Sequence, residues 1–341
     1  MYKNIIVLPV FLFFGLLVSP VYADAGVEDI HQLKQLYLRP SKVVYPASNP
    51  YLKAKENLGK VLFFDPRLSA SGTQSCATCH NPSLGWEDGM AKAVGHGHKK
   101  LGRSTPTILN LAWDHLFFWD GRAHSLEEQA LIPIFSEAEM NMSGEQLLVA
   151  LRGISGYSEL FEKAFPGQKQ PVNLENVSKA IATFERGIVS GKAPFDRWVD
   201  GDEGAISEKA KRGFVLFNTK ANCASCHSGW QFSDSSFHDI GMPDDDLGRG
   251  EFIPHLVSMQ HAFKTVGLRD IDKRAPYMHD GSQKTLNQVV DHYDGGYVER
   301  DSLSDEIKIL DLTPQEKSDL VSFLKTLTGE NQMVMVPVLP K

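Results

Sequence analysis

The chain contains the pattern Cys-x-x-Cys-His twice, at Cys76–His80 and at Cys223–His227. All four cysteines of the sequence belong to these two motifs. In such a motif two thioether bonds attach a haem to the polypeptide, and the histidine binds the haem iron. The sequence therefore predicts no disulfide bonds and two covalently bound c-type haems. The expected attachment residues are Cys76, Cys79, Cys223 and Cys226, and the expected iron ligands are His80 and His227.

The composition is that of a globular protein with an ample core. The chain has 341 residues, of which 42% are hydrophobic, and this length suggests two domains. The formal net charge is −7, and the sequence has no basic run. Nucleic acid is therefore not an expected partner.

The N-terminus has the pattern of a secretory signal peptide over residues 1–23. Lys3 supplies a positive charge, Ile5–Val18 is apolar, and Val21–Ala23 places small residues before a cleavage site at Asp24. The alternative is an uncleaved membrane anchor, but the apolar run is short for a membrane span. We expect export to the periplasm.

The segments that precede the two motifs are similar to each other. Leu58–Phe64 and Arg212–Asn218 each carry an apolar helical face that leads into a loop and then the motif. Two similar units imply two cytochrome c-like domains. The polar stretch Val199–Gly204 is the expected boundary. We assign residues 24–204 to an N-terminal domain and residues 205–341 to a C-terminal domain.

The hydrophobic periodicity is helical wherever it is clear. Ser125–Glu128 has the pattern of a capping box, and Asn176–Ile188 carries apolar residues at helical spacing. Thr313–Glu316 combines a cap, a proline in the first turn and a glutamate. No alternating strand pattern of useful length is present. The predicted fold class is all-α.

Six further segments carry a resemblance to a known family. They are Leu62–Ser69, Ser75–Pro82, Thr105–Thr107, Phe118–Ala123, Glu139–Met140 and Ala275–Ser282. Over roughly residues 50–328 the chain resembles the bacterial di-haem cytochrome c peroxidase superfamily, which includes MauG. The resemblance implies two cytochrome-like domains packed face to face. The N-terminal haem would react with peroxide, and the C-terminal haem would transfer electrons.

The resemblance also implies a second axial ligand for the C-terminal iron, from the helix after Tyr277–Gly281. Peroxidases place methionine there and MauG-like members place tyrosine; the corresponding residue here is Tyr293. A thioether favours ferrous iron, whereas a phenolate is a hard anionic donor that stabilises ferric iron. In the alternative interpretation Tyr293 only packs, and Met278 or Met242 is the ligand.

Four residues match the family's catalytic positions near the first haem. Glu139 matches the acid that exchanges protons with bound peroxide, and Gln129 and Pro133 match residues that line the same pocket. Trp119 matches the tryptophan that lies between the two haems and relays electrons. Without the resemblance, Glu139 would be read as a surface carboxylate and Trp119 as a core residue.

Two further positions concern metal binding. His96 matches the histidine that fills the sixth position of the first haem in some peroxidases and that MauG-like members lack; the alternative is a solvent-exposed histidine. The family also holds Ca²⁺ between its domains. Here Ser104 would supply the side-chain oxygen, together with the carbonyl groups of Arg274 and Pro276.

The leading functional hypothesis is a periplasmic di-haem peroxidase that reduces hydrogen peroxide. Its electrons would come from a small redox protein such as a cytochrome c or a cupredoxin. The alternative is a MauG-like enzyme that oxidises side chains of a partner protein. A second alternative is a non-catalytic electron-transfer cytochrome, in which both irons are six-coordinate. We also expect that the chain can form a homodimer.

Overall fold

The structure is a computed structural model that describes residues 25–330 and 333–341, and it is mainly helical within these ranges. The predicted signal peptide and its cleavage site lie outside them. None of the helices described is long and apolar enough to cross a membrane. The helices are α1 (Ala25–Gln35), α2 (Lys53–Phe64), α3 (Cys76–Cys79), α4 (Leu126–Phe135), α5 (Gly144–Arg152), α6 (Ser155–Ala164), α7 (Leu174–Arg186), α8 (Pro194–Val199), α9 (Glu208–Asn218), α10 (Leu286–Asp291) and α11 (Pro314–Lys325).

One small sheet accompanies these helices. Its strands β1 (Phe237–His238) and β2 (Phe263–Lys264) are antiparallel, with Phe237 opposite Lys264. The mainly helical prediction is confirmed, and the sheet is an addition to it. Two-residue strands are too short to leave an alternating pattern in the sequence, which is why the sheet was not predicted.

The two largest hydrophobic cores among the described residues are each built on one pair of packed helices. In the first core α2 packs against α7, and in the second α9 packs against α11. A glycine allows each close approach: a Cβ atom on Gly59 would lie 1.9 Å from the carbonyl oxygen of Ala180, and one on Gly213 would lie 2.1 Å from that of Asp319. The two segments before the haem motifs are therefore similar in sequence because each must pack closely against another helix.

The second core also contains residues from well before α9. Phe195 and Trp198 of α8 are fully buried there, as is Tyr37, whose ring stacks on Phe232. These residues precede the polar stretch at which we placed the domain boundary. The division at residue 204 stays a prediction.

A loop-and-helix unit also occurs twice, at Phe117–Ala123 followed by α4 and at Tyr277–Gln283 followed by α10. In both, the first and last loop residues form an antiparallel bridge. The second residue, Phe118 or Met278, has a positive φ of 69° or 72°. Each helix then starts at a hydroxyl cap, Ser125 or Thr285.

Candidate functional site

Each Cys-x-x-Cys-His motif lines a separate cavity. Cys76, Cys79 and His80 line a cavity of about 470 Å³ beside the first core. Cys223, Cys226 and His227 line a second cavity of about 200 Å³ beside the second core. In both cavities the two sulfur atoms and the imidazole of one motif are available to one bound group, as covalent haem attachment requires.

The two histidines are held in the orientation that an iron ligand needs. His80 Nδ1 lies 3.1 Å from the carbonyl oxygen of Trp86, and His227 Nδ1 lies 2.9 Å from that of Phe232. Burial lowers the pKa of both histidines, so each imidazole is neutral and its Nδ1–H donates to the carbonyl. The lone pair of Nε2 is then free to bind iron. The donor set of each motif therefore fits a c-type haem.

The structure brings the four predicted catalytic residues together in the first cavity. Glu139, Gln129, Pro133 and Trp119 all line it, with His80. Burial raises the pKa of Glu139 above its ordinary value, although the guanidinium group of Arg122 partly offsets this. A raised pKa makes the carboxyl group of Glu139 a better proton acceptor, when ionised, than an exposed carboxylate, and inside the cavity it can return that proton.

Arg122 is a residue of this site that the sequence analysis did not single out. Its Nη1 donates to both carboxylate oxygens of Asp120, at 3.0 Å and 2.7 Å, and its guanidinium carbon lies 3.6 Å from the centre of the Phe118 ring. It lines the first cavity, and its positive charge lowers the pKa of Glu139. Its place in the Trp-Asp-Gly-Arg motif was the available signal.

Trp119 lies in the part of the wall that the two cavities share, because it lines both. Its Nε1 donates to the carbonyl oxygen of Ser104 at 2.9 Å, which fixes the indole ring. The ring of His279 lies 6.3 Å away, edge to face, and also lines the second cavity. The bridging position predicted for Trp119 fits this geometry, while its role in electron transfer stays a prediction.

The second cavity contains the predicted tyrosine. Tyr293 lies in a π-helical turn, His292–Gly296, directly after α10, and it lines the cavity together with His227. Burial is the main cause that raises the pKa of Tyr293 far above its ordinary value, so the phenol stays protonated unless a cation binds its oxygen. Of the alternative ligands, Met278 lines the cavity and Met242 does not.

His96 lies beside the first cavity but is not among the residues that line it, although the preceding Gly95 is. The backbone N–H of His96 donates to the carbonyl oxygen of Ala138, next to Glu139. Its Nδ1 is buried and has no hydrogen-bond partner in the part of the chain that the structure describes. The ligand role of His96 stays a prediction.

A buried ion pair lies between the two cavities and was not predicted. Arg274 lines both of them, and its Nε donates to Glu87 Oε1 at 2.7 Å. Burial raises the pKa of Glu87 to about 7, against the opposing charge of Arg274. Glu87 follows Trp86, whose carbonyl accepts from His80. The pair therefore joins the first haem motif to the Ala275–Ser282 segment of the second core.

Comparisons with known proteins agree with this geometry. A family model described as di-haem cytochrome c peroxidase matches residues 53–204. The chain is 53% identical over 320 residues to the methylamine utilization protein MauG of Methylorubrum extorquens, covering 93% of this chain and 90% of that protein. It is 33% identical over 310 residues to the cytochrome c551 peroxidase of Pseudomonas aeruginosa, covering 88% and 86% of the two chains.

A solved structure gives the same result. The crystal structure of a MauG-like protein associated with microbial copper homeostasis superposes with a TM-score of 0.80 at 31% identity, covering 86% of this chain and 94% of that one. The fold and the paired cavities define a two-haem c-type oxidoreductase. The chain belongs to the di-haem cytochrome c peroxidase and MauG family, and it binds two c-type haems.

Family membership decides between some of the functional hypotheses. The expected enzyme class is confirmed, which argues against a non-catalytic cytochrome. The identity is 53% and 47% to two MauG proteins, against 36% and 33% to two cytochrome c peroxidases. The comparisons therefore favour the MauG-like alternative over the peroxidase hypothesis with which the sequence analysis led.

Proposed function

We propose that the protein is a MauG-like oxidoreductase that uses hydrogen peroxide to oxidise side chains of a partner protein. The observation that carries the proposal is that Tyr293 shares the second cavity with His227. A phenolate is then available to the second iron. The 53% identity to a MauG protein supports the same assignment.

The first cavity is the proposed peroxide site. Haem iron, when bound by His80, supplies the redox chemistry by which hydrogen peroxide takes up two electrons and two protons and yields two water molecules. Glu139 accepts a proton from one peroxide oxygen and returns it to the other. Gln129 and Pro133 line the space around the peroxide, and Arg122 limits the rise in the pKa of Glu139.

Trp119 is the proposed electron relay between the two cavities. Its Nε1–H donates to a backbone carbonyl, which cannot accept a proton. An oxidised Trp119 would therefore keep its proton and carry a positive charge. The two carboxylates beside the Trp119 loop are paired with guanidinium groups: Arg103 binds both Asp120 and Asp246, and Arg122 also binds Asp120. These four side chains have no net charge.

His227 and Tyr293 are the proposed axial ligands of the second iron. Because burial disfavours the free phenolate, Tyr293 would lose its proton only on binding a ferric ion. The anionic ligand would favour the oxidised states of the second haem, so a mild reductant would not reduce it. The two oxidising equivalents that come from hydrogen peroxide could then be held there until a side chain of the partner protein supplies the electrons.

The two cores support a proposed division into two cytochrome c-like domains, residues 24–204 and 205–341. Each core has one haem motif and one cavity beside it. We also propose that the mature protein is periplasmic, since the signal peptide pattern at residues 1–23 is the usual route by which a c-type cytochrome leaves the cytoplasm.

A Ca²⁺ site at Ser104 is also proposed. Ser104 Oγ lies 2.9 Å from the carbonyl oxygen of Met278 and 3.2 Å from that of His279. Three oxygen atoms from two parts of the chain are thus close together, and oxygen atoms are the ligands that Ca²⁺ prefers. The carbonyls of Arg274 and Pro276 are the further proposed donors. Elemental analysis after exhaustive dialysis tests this directly.

The second candidate function is a peroxidase supplied by a small cytochrome c or a cupredoxin. Two observations favour it: the identity to the cytochrome c551 peroxidase, and the placement of His96 next to the segment that carries Glu139. In that case the side chains of a partner protein are not substrates, and the partner is only an electron donor.

One experiment separates the two functions. Hydrogen peroxide is added to the di-ferric protein together with either a reduced small cytochrome c or the periplasmic fraction of the source organism. If the proposed function is correct, peptide mass spectrometry will find newly oxidised tryptophan or tyrosine residues in one periplasmic protein. These oxidised residues should be absent when the variant Glu139→Gln replaces the wild type. Rapid, stoichiometric oxidation of the cytochrome without any oxidised partner would instead establish the peroxidase.

A further inference from the structure

Glu185 is a second carboxyl group in the wall of the first cavity, and the proposed function gives it no role. It lies near the end of α7, one helical turn after Ile181, and both residues line the cavity. Only 4% of the residue is exposed, and its Oε2 has no hydrogen-bond partner within residues 25–330 and 333–341. Burial without a hydrogen-bond partner disfavours the ionised carboxylate relative to the neutral acid.

The charges around Glu185 do not compensate for this burial. The neighbouring Arg186 points to Glu127 of α4, and its Nη1 and Nη2 donate to the two carboxylate oxygens at 2.6 Å and 2.8 Å. Cys76 of α3 is also close, and as a haem thioether it carries no charge. Glu139 and Arg122 line the same cavity and act on each other. The other charged residues of the cavity wall are Arg103, Asp114, Asp246, Glu251, Lys264, Arg269 and Arg274. None of these is among the charges that shift the pKa of Glu185.

Burial therefore determines the protonation state of Glu185. It raises the pKa of Glu185 to about 8; Arg186 opposes the rise and Glu127 adds to it. The side chain is a neutral carboxylic acid at pH 7. It also lies beside the motif that holds the first haem, where any change in haem charge acts through a medium of low dielectric constant.

We propose that Glu185 is the proton-exchanging group of the first haem. Above its pKa, the carboxylate of Glu185 would take up one proton from water whenever the haem held by His80 gained one electron from a reductant, so that the net charge of the cavity stayed constant. On oxidation the proton returns to water. The reason is Coulombic, because an added negative charge stabilises the protonated acid. This role differs from that of Glu139, which exchanges protons with peroxide itself.

The inference rests on the proposed function only in that the first haem changes its oxidation state. Its test uses the holoprotein without peroxide and without a partner, so it can fail while the proposed function holds, and the reverse. The midpoint potential of the first haem is measured by spectroscopic redox titration at a series of pH values from 6 to 10. The variants are Glu185→Gln, Glu185→Asp and, as the matched control, Glu175→Gln, which changes an exposed glutamate of the same helix.

Below the pKa of Glu185 in the oxidised protein, the acid is protonated in both states and the potential is independent of pH. Above that pKa, reduction binds a proton and the potential falls as pH rises, with a slope of up to one proton per electron. We expect this slope in the wild type and in Glu175→Gln, its loss in Glu185→Gln, and its partial recovery in Glu185→Asp. A wild-type potential that does not change between pH 7 and pH 10 overturns the inference, and so does a slope that Glu185→Gln retains.

Discussion

Pro133 and Tyr293 occupy the same position of the loop-and-helix unit that the chain contains twice, at a constant offset of 160 residues. Pro133 lies inside α4, which continues to Phe135. The equivalent helix α10 ends at Asp291, and the wider π-helical turn that follows carries Tyr293. The side chain of proline has no atom that can bind a metal, whereas that of tyrosine offers a phenolic oxygen. The two haems therefore differ at one equivalent residue.

This difference predicts one five-coordinate iron and one six-coordinate iron. We expect electron paramagnetic resonance of the di-ferric protein to show one high-spin haem, held by His80, and one low-spin haem, held by His227 and Tyr293. The variant His96→Ala should give the same spectrum. If the wild type instead shows two low-spin haems and His96→Ala converts one of them to high spin, His96 is the sixth ligand of the first iron.

Glu139→Gln should abolish the reaction with peroxide but leave haem attachment unchanged. The amide keeps the size of the side chain and cannot exchange protons, so we expect the rate to fall about 10²–10⁴-fold. The measurement is stopped-flow absorption after mixing with peroxide. Glu137→Gln is the matched control, because Glu137 is exposed two residues earlier in the same loop. Equal rates for Glu139→Gln and the wild type would remove Glu139 from the mechanism.

The same residue predicts the pH dependence of the reaction. Glu139 must be ionised to accept a proton from peroxide, and burial raises its pKa. The rate should therefore fall as pH decreases through a pKa above the ordinary range of a glutamate. This fall in rate at low pH should be absent from the residual activity of Glu139→Gln. If the rate instead falls at the ordinary pKa of an exposed carboxyl group, the cavity does not bury Glu139 in the holoprotein.

The parts of this molecule that the sequence predicted well depend on short-range patterns. The helix caps at Ser125 and Thr313 are present, since a hydroxyl group needs only the next turn of the helix to act as a cap. One detail differs, because Glu128 accepts from the backbone of His124 rather than from that of Ser125. The haem motifs were equally easy to predict, because the two cysteines and the histidine of each motif lie within five residues.

Long-range packing could not be predicted in the same way. Nothing near Tyr37 in the sequence indicates that its hydroxyl group donates to Asn218 of α9, or that its ring packs in the second core. Glu185 follows a buried phenylalanine and precedes an arginine, an ordinary pattern for the edge of a helix. Only the structure places it in a haem cavity.

Trp119→Phe should slow electron transfer between the haems while the protein still binds both. The variant loses the hydrogen bond to the carbonyl oxygen of Ser104, which we expect to lower the free energy of unfolding by about 1 kcal/mol. The rate is measured by flash reduction of one haem and absorption at the bands of the other. Trp113→Phe is the control, because Trp113 packs on Trp230 and lines neither cavity. Equal transfer rates in the wild type and Trp119→Phe would exclude the relay.

Tyr293→Met tests the residue on which the proposed function depends most. If the phenolate binds the second iron, replacing it by a neutral thioether removes a negative charge and a hard donor, and both changes favour ferrous iron. The midpoint potential of the second haem should rise by a substantial part of the roughly 0.8 V range over which axial ligands set haem potentials. The variant should then be reduced by mild reductants and accept electrons from a small cytochrome. Tyr297→Met is the matched control, since Tyr297 lies four residues later and does not line the cavity. Equal potentials in the wild type and in Tyr293→Met would mean that Tyr293 only packs, and Met278, which lines the same cavity, would then be the ligand to test.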